Sequence, residues 1–192
     1  MKFNCAYCEG FETLGPPNAK AYFEFYADLL VGAERSAVDL WKWHMAEEFE
    51  HRHVAYEVFK TLYGRKHFFN GYFYRIYGFL CTMRHLGAWT AKVNAYLIGK
   101  DREGMSAQEL VQSKHREKIY RRKQLFHVMP QLLRVLSPFY DPAKLRAPRG
   151  LAEFMNRVEV DYGIAAAGSG AGATQAAAAG NTSIDGTVSN AR

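Results

Sequence analysis

Between Trp41 and His53 the chain places three carboxylates and three imidazoles among large apolar residues. Projected on a helix, the spacing of three and four residues joins Trp41, His44, Glu48, His51, Ala55, Val58 and Leu62 into one stripe. The stripe is apolar at both ends, which predicts that it is the buried face of a helix from about 36 to 63, with Ser36 as cap and Gly64 as stop. Its middle is His, Glu, His. Ionisable groups are costly to bury unless paired or bound to a metal. A Glu-x-x-His pair facing into a helical bundle is one way such proteins present metal ligands. This pattern therefore constrains the chain twice: towards helices, and towards metal chemistry.

The rest of the sequence extends the helical reading. Residues 3–14 predict a helix ended by Gly15-Pro16-Pro17. Asn18 is placed to cap a second helix over 19–31, closed by Gly32. An aromatic-rich stretch over 68–98 predicts one long helix or two, with Gly71, Gly78 and Gly87 as places for kinks or close packing. Ser106 with Glu109 three residues on forms a capping box, opening a helix towards Leu136 that breaks near Pro130. Residues 137–142 read as turn, and 151–160 as a last short helix. No run alternates apolar and polar side chains, so the fold class is all-α.

Residues 163–192 are nearly all Ala, Gly, Ser, Thr and Asn, with Asp185 and Arg192 their only charges. They offer too little apolar surface to offset ordering entropy, and predict a disordered tail behind a domain of residues 1–162. Met1-Lys2 is not followed by a secretory apolar segment, and Phe68 to Ile98 is interrupted by Arg75, Arg84, His85 and Lys92. Three cysteines do not make a disulfide framework, so the expected location is cytoplasmic. Cys5-x-x-Cys8 has no second cysteine pair to complete a zinc site.

The net charge is +6, and Lys114-His-Arg116-Glu-Lys118-Ile-Tyr-Arg121-Arg122-Lys123 concentrates basic residues on one predicted helix. No nucleic-acid motif accompanies it, and no nucleic-acid partner is expected. A solvated helix face or a peripheral contact with an anionic membrane both account for it. The aromatic run from Phe68 to Phe79 reads as core, or as the lining of a channel for an apolar small-molecule substrate.

Within the His/Glu stretch, Glu48 and His51 lie three residues apart and reach one ion together. His44 is one turn before Glu48, open between ligand, supporting donor and satisfied core histidine, and Glu47 is open between ligand and partner of His51. Carboxylate with imidazole suits a divalent metal: iron first, with manganese and zinc also compatible.

The pattern Trp41-x-Trp43-His44-x-Ala46-Glu47-Glu48-x-Glu50-His51 resembles the signature of the bacterial predicted metal-dependent hydrolases, a ferritin-like helical group. Cys5-Ala-Tyr-Cys8-Glu9-Gly-Phe-Glu12-Thr, Tyr72-Phe-Tyr-Arg75-Ile-Tyr-Gly-Phe and Leu133-Arg-Val-Leu-Ser-Pro138-Phe-Tyr-Asp141-Pro142 are similar to further family segments, over roughly residues 3–160. The resemblance implies that Glu9 is the single ligand of the preceding helix, joining Glu48 and His51 in a metal centre, dinuclear in such bundles, with His44 beside it. Hydrolysis is the activity it implies, with Glu47 as general base.

A ferritin-like site takes a Glu from each of two helices and a Glu-x-x-His from each of two others. One copy of that pair is found here. The expectation is a partial bundle: a truncated product, a fragment, or a half completed by a second chain or a homo-oligomer, with a single chain short of full activity. Two other readings stay open. One is a di-iron, O2-dependent oxygenase or oxidase, which the same ligands serve. The other is a non-catalytic helical interaction or membrane-surface protein with a degenerate site.

Overall fold

The structure is a computed structural model that describes residues 1–64 and 68–162. The predicted disordered tail, 163–192, lies outside the described residues. Among those described there is no strand, and the protein is all-α. It divides into two compact units, Met1–Ala152 and Glu153–Arg192.

In the first unit α1 (Lys2–Glu12), α2 (Gly15–Glu24) and α3 (Arg35–His51) follow one another closely. Then come α4 (Val54–Phe59), a π-helical turn (Lys60–Gly64), the long α5 (Phe68–Arg102), α6 (Ala107–Lys123), a second π turn (Gln124–Val128) and α7 (Met129–Leu133). The last helix, α8 (Leu151–Asp161), supplies most of the described part of the second unit.

Gly15-Pro16-Pro17 ends α1 as expected, but it also begins α2. Proline at the first helical positions loses only a donor that has no partner there, so the prolines start the second helix. Asn18 is consequently inside α2, where its side chain donates to the Leu14 carbonyl at 2.9 Å. The helix stops at Glu24, and Gly32, at φ 78°, turns the chain towards α3. There the cap is Glu34, whose carboxylate accepts from the Ser36 amide at 3.3 Å. The capping box of Ser106 and Glu109 forms as the sequence predicts.

The predicted single helix over 36–63 is instead two helices. Arg52 breaks it: its guanidinium donates back to Phe49 O at 2.7 Å and across to Pro142 O at 3.0 Å. With that break, Val58 and Leu62 no longer share a helix with Trp41. The buried side of α3 is Asp39, Met45, Ala46 and Phe49, and the predicted buried stripe is largely open, with Trp41 53%, Val58 48% and Leu62 52% exposed. Of the predicted stripe, Trp41, His44 and Glu48 line one groove, while Ala55, Val58 and Leu62 lie beyond the end of α3.

α1 lies directly on the first half of α5, where two glycines allow the backbones to approach. A Cβ on Gly78 would stand 2.6 Å from the backbone of Ala6, and one on Gly10 would stand 2.8 Å from the Phe79 Cα. Thr82 Oγ1 donates to Tyr7 O at 2.9 Å across the same seam. The apolar core beside it joins Ala21, Tyr26, Phe79, Val128, Leu132, Val135 and Tyr140.

Candidate metal centre

α3 presents His44 and Glu48 to a groove of about 580 Å³. Trp41 of α3, Leu14 and Gly15 near the start of α2, Met83, Leu86 and Trp89 of α5, and Tyr120 of α6 also line it. His44 Nε2 stands 3.7 Å from Glu48 Oε1. Gly15 makes this placement possible: a Cβ there would lie 3.0 Å from both Cβ and Oε2 of Glu48.

A second carboxylate, Glu12 at the end of α1, lies near Glu48. Burial raises its pKa, the charge of Glu48 raises it further, and His51 acts in the opposite direction. Glu12 therefore lies in the field of Glu48 and His51. Glu12 carried no signal of its own in the sequence. The only hint was its place at the end of α1, just before the tight entry into α2, which forces that end close to α3. Glu47 is half-buried on the same helix as His44 and Glu48.

Glu9 has a different setting. It is 1% exposed, and its Oε1 meets Arg75 Nη1 at 3.4 Å and Thr13 Oγ1 at 3.4 Å. Arg75 also donates to Val135 O at 2.7 Å and Ser137 O at 3.3 Å. The rings of Tyr56, Tyr72 and Tyr140 surround its guanidinium at 5.5–6.0 Å. Oε2 of Glu9 is buried without a hydrogen-bond partner. Burial outweighs the neighbouring Arg75 and pushes the Glu9 carboxyl up from 4.5 to about 7.

This has a pH consequence. Because the folded pKa lies above the unfolded one, the folded state binds the extra proton between about pH 4.5 and 7. The contribution of Glu9 to stability is therefore greatest below pH 4.5 and falls as pH rises through 7, by an amount on the order of 3 kcal/mol. Glu9→Gln is expected to flatten that part of the stability–pH curve, measured by denaturant unfolding across the window. An unchanged slope in the variant would show that Glu9 does not titrate there.

Among the described residues no three His, Cys, Asp or Glu side chains converge closely enough to hold one metal ion. The donors on α1 and α3 fit a divalent metal in kind, carboxylate with imidazole, and fall short of it in number.

A helical protein with a carboxylate–imidazole pair on the wall of an apolar groove is the class that fold and geometry together define. The chain belongs to the family of predicted metal-dependent hydrolases, whose model matches residues 1–145. Comparison with curated proteins and with solved structures finds no match.

Proposed function

We propose that this chain is a metal-dependent hydrolase in which α3 supplies the metal end of the site, with Glu48 and His51 as ligands and His44 beside them. Support comes from the family and from one observation: His44 and Glu48 stand on the wall of the large groove, where a bound substrate would reach them. Glu12 is the α1 carboxylate whose charge is coupled to the cluster, while Glu9, the ligand implied by the resemblance, is held by Arg75. The missing donors are assigned to a second chain, in a homo-oligomer or a complex that completes a ferritin-like bundle.

A divalent ion bound there would supply Lewis acidity. Glu47 is assigned the general base, taking the proton of the attacking water. Trp41, Met83 and Leu86 make the groove suited to the apolar part of a substrate.

Hydrolysis of apolar aryl esters under strictly anaerobic conditions tests the reading. Turnover is expected without O2 or reductant, to cease with a chelator, and to fall roughly a hundredfold or more in kcat for Glu47→Gln. Turnover that requires O2 and reductant would replace hydrolysis by the oxygenase chemistry that the same donors serve.

A further inference from the structure

The second half of α5 and the whole of α6 form a helical hairpin that meets the rest of the first unit around Trp89 and Tyr120 and is otherwise largely exposed. Arg102, at the end of α5, donates to Ser113 at 3.1 Å and Glu117 at 2.7 Å on α6. At the other end of α6, Lys123 donates to Phe25 O and to Asp28, each at 2.5 Å. Between these anchors, no residue of α6 is buried. α1 meets α5 at His85, whose Nδ1 lies 2.6 Å from Tyr7 Oη.

Two properties of this hairpin coincide. From Arg84 to Lys123 the chain holds ten Lys and Arg against four Asp and Glu, an excess equal to the +6 of the whole protein. Arg84, Lys92, Lys114, Arg116, Lys118 and Arg122 have no carboxylate partner among the described residues. In addition, Trp89, Lys92, Tyr96 and Lys100 are spaced three and four apart, so they form one stripe along α5. The aromatic members of that stripe are open, Trp89 by 59% and Tyr96 by 65%.

We propose that this hairpin docks the protein on an anionic phospholipid surface. Trp and Tyr prefer the interface between water and hydrocarbon, and neighbouring lysines keep their heads at the level of the lipid phosphates while their stems lie along apolar surface. Unpaired basic residues add roughly 1 kcal/mol each near such a surface. The contact is peripheral, since no described helix is long and apolar enough to cross a membrane. Nucleic acid would also answer the charge, but a Trp–Tyr stripe along a helix, without an accompanying binding motif, suits lipid better.

Co-sedimentation of the full chain with phosphatidylcholine vesicles, with and without phosphatidylglycerol, tests this. The expected result is binding at least about tenfold tighter to the anionic vesicles, weakened by Lys92→Glu/Lys118→Glu. Trp89→Ser/Tyr96→Ser is expected to lose a further factor of about ten or more, from the apolar area no longer buried. Bromine-labelled lipid should quench tryptophan fluorescence in the wild type and much less in Trp89→Phe, a readout that holds even where the serine variant folds poorly. Equal binding to both vesicle types, quenching unaltered in Trp89→Phe, or displacement of vesicles by a single-stranded RNA would each overturn the proposal.

Discussion

Arg75→Met is expected to destabilise the protein by about 3–5 kcal/mol, the cost of breaking a buried ion pair by removing one partner. The Arg75 side chain is only 6% exposed and donates to three acceptors, Glu9 Oε1, Val135 O and Ser137 O. Without it Val135 O loses the Arg75 donor, Ser137 O keeps the Tyr140 amide at 3.2 Å, and Glu9 loses the neighbouring positive charge that favours its ionised form. The loss should be greater at pH 8 than at pH 5, because the orphaned carboxyl can neutralise itself in acid. Arg75→Lys is expected to recover only part of it, since an ammonium on a single stem does not reproduce the guanidinium fork. Denaturant midpoints at the two pH values measure this. A loss under about 1 kcal/mol for Arg75→Met would show that the Glu9–Arg75 pair is not a structural tie between α1 and α5.

Gly78→Ala is the second large effect. The added carbon would stand 2.6 Å from the Ala6 carbonyl carbon, its oxygen and its Cβ, and the atoms it meets are mostly backbone. Neither helix can yield locally, so α1 must move off α5 as a body. The expected cost is about 1–3 kcal/mol, the usual range for overpacking, with weakening of the Thr82–Tyr7 bond on the same seam. Gly87→Ala is the control. Nothing lies within 4 Å of its added carbon, so higher helix propensity should leave the protein unchanged or stabilised by up to about 1 kcal/mol. Thermal unfolding of the two variants side by side separates a tight helix contact from a general effect of glycine replacement. Equal behaviour would contradict the close α1–α5 approach.

Much of this architecture was legible because it is local. The capping box at Ser106, the helical character of 68–98, the end of α1 before Gly15 and the short helix after Gly150 each follow from neighbouring residues. What was not legible depends on partners distant in sequence. The break in the predicted site helix is set by Arg52 reaching Pro142, ninety residues away. The Glu9–Arg75 pair spans 66 residues, and nothing near Glu9 distinguishes a carboxylate destined for an arginine from one destined for a metal. Glu12 shows the converse: it is an unremarkable helix-end acid until the fold sets it in the field of Glu48 and His51. The burial of the His/Glu stripe was misjudged, because amphipathic periodicity on α3 does not say which face packs against α2, and the stripe ends with α3 at His51.

The most direct test of the central claim is the metal content of anaerobically purified wild-type protein beside Glu48→Ala/His51→Ala, both verified as folded. The account predicts near-stoichiometric iron, manganese or zinc in the wild type that is lost in the double variant, with Glu12→Ala reducing it in part. Well-folded wild-type protein without metal, or a double variant that keeps it, would contradict the assignment of α3 as the metal end of the site.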